Sequence, residues 1–365
     1  MGGSSLRNGC RSGTCFTRSM RAWLKRVILG PVANPTNFSK RQRIERSQSD
    51  GPAMYVDPFK LEEETPHEAA VERRIEMTTK CRDMDKIRRA PRAGQIEVLQ
   101  NGARVQIMHN GLRVCLDGYY GSWMTRLIEL CRGCHEPQEE RVFHEVMARL
   151  PAEAAMIELG GFWAFYSLWF LSGAKGRRSV VVEPDPKHLA VGQTNARLNG
   201  LTPTFIQGFV GGTAASSALF ETEESGKMLL PRLSVPLLMQ SHAIERLHVL
   251  HCDTQGAEFD VLCSCKELFE QQRIRYVFAS THDFRISGDP LTHQRCLAVI
   301  RNCGGHIIAE HEVHESYSGD GLIVAYFGND HRAGAPVPIS YNRYSKSLFR
   351  NPLYDLAIER AARNP

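Results

Sequence analysis

The sequence predicts an α/β protein built around a mostly parallel β-sheet, and three observations predict it. Between about residues 156 and 327, short apolar runs alternate with helix-length segments. The first apolar run ends in Glu158 and a pair of glycines, Gly160 and Gly161. The second run ends in Glu183, 25 residues after Glu158, and this spacing suits one strand–helix–strand crossover. Right-handed crossovers gather the carboxyl ends of the strands at one edge of the sheet, where α/β proteins bind their ligands.

Seven apolar runs are predicted as strands, and the segments between them include four predicted helices. The strands lie at residues 156–159, 179–183, 204–207, 247–252, 276–280, 306–310 and 322–327. The helices lie at about 164–173, 186–199, 257–271 and 290–303. Strands that alternate with helices in this way predict a sheet covered by helices.

The chain is expected to have four parts. They are a disordered basic leader (1–53), a helical and β-hairpin cap region (54–135), the main α/β domain (136–330) and a C-terminal tail with a short helix (331–365). In the cap region, residues 58–90 are predicted as a charged helix. The pair Asn110–Gly111 lies between runs of alternating apolar and polar residues, which predicts a hairpin with a type I′ turn.

The charge pattern argues against nucleic acid as a partner. Residues 1–50 hold ten Lys and Arg against two acidic residues, a charge of +8, which leaves 5 − 8 = −3 for the rest of the chain. A nucleic-acid binder usually carries its basic patch on the folded domain. Eleven scattered cysteines without a secretory signal favour free thiols in the cytoplasm. The pattern C-x-x-C-H at Cys131–His135 allows haem attachment, or simply two buried thiols near a helix end.

Residues 154–174 carry only one charge, Glu158, and three structures compete for them. The length is sufficient for a transmembrane helix. Glu158 and the glycine pair favour a strand, a turn and a buried helix, with or without a bound cofactor. The strand, turn and buried helix are preferred to the transmembrane helix, because residues 179–183 are predicted to form the next strand of the same sheet.

Four motifs in sequence order resemble the FkbM-type family of S-adenosylmethionine-dependent methyltransferases. They are 136-EPQEE-140, 158-ELGGFWAFYSL-168, 181-VVEPDPKHLAVGQTNARLNG-200 and 250-LHCDTQGAEFDVL-262. The resemblance implies a Rossmann-like class I methyltransferase fold, with S-adenosylmethionine as cofactor and a methyltransferase domain over 136–330. It also implies an enzyme that methylates a hydroxyl of a saccharide or secondary metabolite.

The resemblance implies cofactor-binding roles for residues at the carboxyl ends of the strands. The glycine turn would hold the methionine end, Glu183 the ribose, and the segment after the third strand the adenine. The implied cofactor-binding residues are Glu158, Gly160, Gly161, Phe162, Glu183, Pro184, Asp185, Gly208 and Asp253.

Three residues depart from the family pattern. Phe162 stands where the family has Asn, Ala164 where it has Gly, and Gln255 where it has Glu. We expect the backbone to shift slightly to accommodate the Ala164 methyl. These departures keep open an alternative function, a catalytically silent protein of the same fold that acts as a binding or regulatory module.

Asp253 and His282 are the predicted catalytic residues. A hydroxyl acceptor must lose a proton, and both residues follow predicted strands. His282 could instead be a surface loop histidine, and Asp253 could hold a divalent cation with Asp283, but no metal is expected. His251 is predicted to be a packing residue. Tyr119, Tyr120 and Trp123 are predicted to form a wall of the acceptor pocket. The expected partner is a small-molecule or saccharide acceptor; no membrane span is expected, and a homodimer is left open.

Overall fold

A computed structural model describes residues 67–342. The predicted leader, the start of the charged helix and the C-terminal helix at 352–363 lie outside the described residues. The first elements are helix α1 (His67–Thr79), a 3₁₀ turn (Arg82–Lys86) and a small antiparallel sheet of β1 (Ile96–Val98), β2 (Arg104–Ile107) and β3 (Arg113–Cys115). The charged helix predicted up to residue 90 therefore ends at Thr79.

The turn between β2 and β3 is not of type I′. Gly111 has a φ of +88°, but Asn110 does not have a positive φ, so one of the two central positions fails the requirement. The Asn110 side chain instead accepts a hydrogen bond from the Leu112 amide (3.1 Å), a local arrangement that asparagine favours in turns.

The main sheet has seven strands in the order β12-β13-β11-β10-β4-β5-β6. These strands are β4 (Ala155–Leu159), β5 (Arg178–Glu183), β6 (Thr204–Gln207), β10 (Leu247–Cys252), β11 (Ile274–Thr281), β12 (His306–His311) and β13 (Gly321–Tyr326). Neighbouring strands are parallel from β11 through β6, and β13 is antiparallel to both of its neighbours. This confirms the predicted fold class, a Rossmann-like α/β protein with a mostly parallel seven-stranded sheet.

Helices cover both faces of this sheet, which is why its central strands are mostly apolar. Residues of β4 alternate between two cores: Met156 faces one cluster and Ile157 the other. Four helices contribute residues to the first cluster: α2 (Ser122–Leu130) of the cap region, α3 (Pro137–Met147), α4 (Phe165–Ser172) and α5 (Pro186–Asn199). Four other helices contribute residues to the second cluster: α6 (Val235–Ser241), α7 (Glu258–Ser264), α8 (Lys266–Glu270) and α10 (Thr292–Asn302). The short helix α9 (Phe284–Ser287) lies between α8 and α10 in the sequence.

A β-hairpin that the sequence analysis missed lies between β6 and β10. It consists of β8 (Ala215–Thr222) and β9 (Gly226–Leu233), and β7 (Phe209–Val210) pairs with β9. Its strands are largely exposed and only weakly alternating, so they lack the apolar signal of buried strands. The tip of the hairpin is held by Asp185, whose side chain accepts hydrogen bonds from the Glu224 and Ser225 amides (2.6 and 2.9 Å).

The apolar segment at residues 154–174 is a strand, a turn and a helix. Strand β4 is completely buried, the glycine pair turns the chain, and α4 is only eight residues long. Across residues 67–342, none of the helices has both the length and the apolar character that crossing a membrane requires. The transmembrane alternative for this segment is therefore wrong.

Candidate active site

A cavity of about 670 Å³ opens at the carboxyl ends of β4, β5 and β10. This volume lies within the range of about 300–1,000 Å³ that is usual for small-molecule sites. Eight of the nine predicted cofactor-binding residues line it: Glu158, Gly160, Gly161, Phe162, Glu183, Pro184, Gly208 and Asp253. Residues from three motifs that are far apart in sequence, together with Gly208, thus meet in one place.

The glycine turn is hydrogen-bonded to β5 and packs against the loop after β10. The amides of Gly160 and Gly161 both donate to the Val182 carbonyl on β5 (2.9 and 3.1 Å). Gly160 has a φ of +76°, and a Cβ placed on it would lie 1.6 Å from the Asp253 carbonyl oxygen after β10. A residue with a side chain cannot occupy this position without movement of the backbone, so the glycine is required by the close approach of two loops.

The two departures in this turn both have left-handed backbone. The small backbone shift expected at Ala164 stays a prediction. Ala164 has a φ of +60°, in the region that favours the glycine of the family pattern. The conformation costs an alanine about 1–2 kcal/mol. Phe162 also has a positive φ, and its ring lies 3.5 Å, centroid to centroid, from the His188 ring. An aromatic contact thus takes the place of the polar contact that asparagine would make.

Glu183 organises the next part of the cavity. One carboxylate oxygen accepts a hydrogen bond from the Phe162 amide (2.9 Å) and the other from the Asp185 amide (2.9 Å). Asp185 is the one predicted cofactor-binding residue that is outside the lining. It caps α5 through the Lys187 amide (2.9 Å) and anchors the hairpin tip, so its role is structural support of the neighbouring loop.

Glu158 lies at the end of β4 and lines the cavity, although only 3 % of it is exposed. Its carboxylate accepts a hydrogen bond from the Ser167 amide in the first turn of α4 (3.0 Å). Burial raises the pKa of Glu158 to about 7, because the charged form is less well solvated there. A cationic ligand in the cavity would favour its ionised form.

Asp253 and His282, the two predicted catalytic residues, are in contact. His282 Nε2 lies 3.1 Å from Asp253 Oδ1, and His282 Nδ1 lies 3.1 Å from Glu258 Oε1. His282 is 3 % exposed, so the alternative of a surface loop histidine is wrong. Asp253 lines the cavity, whereas His282 is not among the lining residues of the described chain. The histidine therefore lies behind the aspartate, and Glu258 lies behind the histidine.

Three carboxylates surround His282. Burial opposes its charged form, but Glu258 and Asp320, together with the hydrogen bond to Asp253, hold the pKa of His282 well above its usual value. Asp320 Oδ1 lies 3.7 Å from Nε2. The imidazole is therefore protonated near neutral pH, and it balances the negative charge that faces it from α7 and from the loops after β10 and before β13.

We expect the contribution of His282 to stability to depend on pH. A pKa raised by folding contributes stability that is fully present below the unfolded value, about 6.5, and is lost as pH rises through the raised pKa. His282→Gln should therefore lower the free energy of unfolding most in mildly acidic solution, below about pH 6.5, and least in strongly alkaline solution. Urea unfolding of both proteins across this range measures the difference. A difference that grows with pH would contradict the charged state assigned to His282.

The start of α3 supplies site residues that were predicted only as part of the motif 136-EPQEE-140. Glu136 lines the cavity and contacts the Tyr166 hydroxyl (3.1 Å) and His135 Nε2 (3.3 Å). Glu139 lies 2.6 Å from His251 Nε2. His251 is buried, as predicted for a packing residue, but it is also ion-paired and lines the cavity. The signal available in the sequence was the motif EPQEE, whose acidic residues are buried rather than solvated.

Aromatic rings form one wall of the cavity. Tyr119 stacks on Trp163, with ring centroids 4.3 Å apart and an interplanar angle of 1°. Tyr120 lies beside Phe162 (5.1 Å between centroids). Tyr119 and Tyr120 line the cavity, as the expected pocket wall requires, but Trp123 is absent from its lining within residues 67–342.

The cavity lining has more carboxylates than cationic groups. Its carboxylates are Glu136, Glu158, Glu183, Glu221, Glu223, Asp253 and Asp260. Its cationic groups are Arg285 and three histidines with raised pKa, His135, His188 and His251. Asp253 Oδ1 is buried and lacks a hydrogen bond of good geometry within the described part of the chain, despite its contact with His282. A glycine cradle and an excess of carboxylates over cationic groups fit a cationic sulfonium cofactor. The fold and the site thus define a class I methyltransferase.

Comparison with known proteins agrees with this class. Residues 146–307, a little under half of the chain, match the family model described as the methyltransferase FkbM domain. This part of the chain is therefore similar to the FkbM methyltransferase domain, in agreement with the family, the enzyme class and the cofactor predicted from the sequence. No curated protein matches the chain.

Solved structures of other methyltransferases share the general architecture at low similarity. The METTL16 MTase domain has 11 % identity and a TM-score of 0.38, with 70 % of this chain and 92 % of that chain covered. An O-methyltransferase from Bacillus cereus in complex with SAH has 15 % identity and a TM-score of 0.35, with 52 % and 80 % covered. Precorrin-6y C5,15-methyltransferase from Geobacter metallireducens GS-15 has 11 % identity and a TM-score of 0.35, with 51 % and 88 % covered. These values are too low for any role to be carried over.

Proposed function

We propose that this protein is an O-methyltransferase that transfers the methyl group of S-adenosylmethionine to a hydroxyl of a saccharide or secondary metabolite. The observation that carries the proposal is the carboxylate of Asp253 at the cavity surface, supported from behind by His282 and Glu258. A hydroxyl acceptor needs a group that receives its proton, and an aspartate facing the cavity can do this.

The cofactor would be held by the residues at the ends of β4, β5 and β6. The glycine turn with Glu158 would bind the methionine end, Glu183 and Pro184 the ribose, and Gly208 the adenine side. When bound, S-adenosylmethionine supplies an electrophilic methyl group. The protein's own part is to orient the acceptor, to exclude water and to take up the proton, and positioning alone supplies much of the rate in such reactions.

Asp253 and His282 would have different roles in this reaction. Asp253 is the catalytic residue, because it reaches the cavity. His282 is a positioning residue, because its imidazole contacts the aspartate and not the cavity. Protonated His282 keeps the Asp253 carboxylate in place, and Glu258 fixes the orientation of the ring.

The acceptor would lie against the aromatic wall. Tyr119 and Tyr120 offer flat faces, and the carboxylates of Glu136 and Asp253 accept hydrogen bonds from hydroxyl groups. A saccharide or a hydroxylated ring compound has both a face that packs on aromatic rings and hydroxyls that pair with carboxylates. We place the protein in the cytoplasm, because the cysteines of its described part are all free. Homodimer formation stays a prediction.

Titration of S-adenosylmethionine into the full chain, followed by calorimetry, tests the cofactor site. We expect wild-type protein to bind and Glu183→Ala to bind about 10- to 100-fold more weakly, since a hydrogen bond to a charged group contributes about 1.5–3 kcal/mol. Asp260→Ala is the matched control, because it removes a carboxylate from the same cavity at a residue with no assigned cofactor contact.

Equal losses in the two variants would mean that general negative charge, not Glu183, attracts the cofactor. If the well-folded wild-type protein releases no binding heat, the O-methyltransferase proposal fails. A catalytically silent binding module would then be the better interpretation. If binding is found, a screen of hydroxylated acceptors for S-adenosylhomocysteine release identifies the substrate.

A further inference from the structure

A second cluster of polar side chains lies behind the cavity wall, and the proposed reaction does not use it. It consists of His109, which follows β2, Cys134 of the C-x-x-C-H pattern, and Glu140 in the first turn of α3. One side-chain donor atom from each residue lies within 4.8 Å of the others. All three residues are fully or almost fully buried.

The polar atoms of this cluster lack ordinary partners. His109 is 1 % exposed, and within residues 67–342 neither of its ring nitrogens has a hydrogen-bond partner. Its Nε2 lies 3.2 Å from Glu140 Oε2, which is also buried without a hydrogen bond in the described chain. Buried polar atoms are nearly always hydrogen-bonded. These two lie within ion-pair distance but lack hydrogen-bond geometry, and an ion bound beside both atoms would complete the arrangement.

The Glu140 carboxylate is fixed from its other side. Its Oε1 accepts hydrogen bonds from the amides of His135 and Glu136 (2.8 and 3.0 Å), and His135 Nδ1 lies 2.6 Å away. These contacts occupy Oε1 and leave Oε2 turned towards His109. Carboxylates that bind metal ions are typically held by such outer hydrogen bonds.

We propose that His109 Nε2, Cys134 Sγ and Glu140 Oε2 bind one divalent transition-metal ion of the zinc type. Imidazole nitrogen, thiolate sulfur and carboxylate oxygen together are the donors that Zn²⁺ takes in proteins, whereas Mg²⁺ and Ca²⁺ prefer oxygen alone. Binding would release the thiol proton of Cys134 to solvent. The proposal is independent of the acceptor and of the residues assigned to catalysis.

The position of the cluster indicates what the ion would do. His109 lies in the turn between β2 and β3 of the cap region, and Glu140 belongs to a helix of the main domain. The residue after Cys134 is His135, which lines the cavity. An ion at this point would fasten the cap sheet to the main domain and hold the cavity wall at His135 in place.

The same atoms have one competing explanation. The His109 ring lies 4.4 Å from Trp169, centroid to centroid, at an interplanar angle of 73°. In this arrangement a ring N–H can point to the aromatic face without any metal. The structure therefore offers a metal ligand or a packed neutral histidine, and an experiment must separate them.

Titration of Co²⁺ into chelator-treated full-length protein separates the two. We expect one ion per chain and a thiolate-to-cobalt charge-transfer band in the near ultraviolet. Cys134→Ser should abolish the band, and His109→Gln should weaken binding by at least about 10- to 100-fold, the loss that removal of a mere outer contact typically brings. Cys131→Ser is the matched control, because Cys131 is equally buried in the same C-x-x-C pattern but outside the cluster.

The wild-type protein alone can overturn the proposal. No charge-transfer band at saturating Co²⁺, together with a thermal midpoint unmoved by Zn²⁺, would show that His109 is a packed histidine. A band that persists in Cys134→Ser would assign the metal to other thiols and would equally overturn the site. If Cys134→Ser does not fold, His109→Gln decides the matter: a Zn²⁺-induced rise in midpoint as large as that of wild type rejects the proposal.

Discussion

Asp253→Asn is expected to lower turnover by about 100-fold or more while S-adenosylmethionine still binds. General base catalysis by a positioned group contributes about 10²- to 10⁴-fold, and an amide cannot take up the acceptor proton. The substitution keeps the volume of the side chain and its ability to contact His282 Nε2, which lies 3.1 Å from Asp253 Oδ1. Single-turnover release of S-adenosylhomocysteine, measured beside calorimetric binding, separates the two effects.

The matched control is Asp260→Asn, a second carboxylate of the same cavity. It should leave turnover near that of the wild type, because Asp260 has no contact with His282 in the described structure. His282→Gln should reduce turnover less than Asp253→Asn and should change its pH profile, since it removes the charge next to the base. Unchanged turnover in Asp253→Asn would remove the aspartate from the mechanism and leave only its place in the cofactor loop.

The sheet was predictable because its strands are buried on both faces. Runs such as 322–327 are continuously apolar, and they coincide with observed strands. The hairpin of β8 and β9 was missed for the opposite reason: both strands are largely exposed. The segment 257–271 was predicted as one helix, but it is interrupted at Cys265, between α7 and α8. Apolar sequence patterns therefore predict strands that are buried. They do not predict exposed strands that are stabilised mainly by pairing with a neighbouring strand.

The candidate site also has a part that was predictable from the sequence and a part that was not. The residues that line it lie at predicted strand ends, and chain topology alone brings such ends together. The buried ion pairs could not be read from spacing. Glu139 contacts His251, which is 112 positions away, and His109 faces Glu140 from the turn between β2 and β3. A glutamate in the first turn of a helix usually faces water, so its burial depends on partners that only the folded chain supplies.

Gly160→Ala is expected to destabilise the protein by about 2–5 kcal/mol and to abolish tight binding of S-adenosylmethionine. Left-handed backbone accounts for about 1–2 kcal/mol, and overpacking for about 1–3 kcal/mol. The added Cβ would lie 1.6 Å from the Asp253 carbonyl oxygen, so one of the two loops must move. Because one loop forms the glycine turn and the other carries Asp253, either movement distorts the site. Urea unfolding and calorimetric titration measure the two losses.

Gly200→Ala isolates the backbone contribution. Gly200 ends α5 with a φ of +63°, but an added Cβ would meet no atom within 4 Å across the described residues. This variant should lose only about 1–2 kcal/mol and should bind the cofactor as the wild type does. The excess loss in Gly160→Ala then measures the contact between the glycine turn and the Asp253 loop. If both variants lose the same stability and keep the same affinity, the two loops can separate without consequence, and the close approach at Gly160 is not what holds the catalytic carboxylate in place.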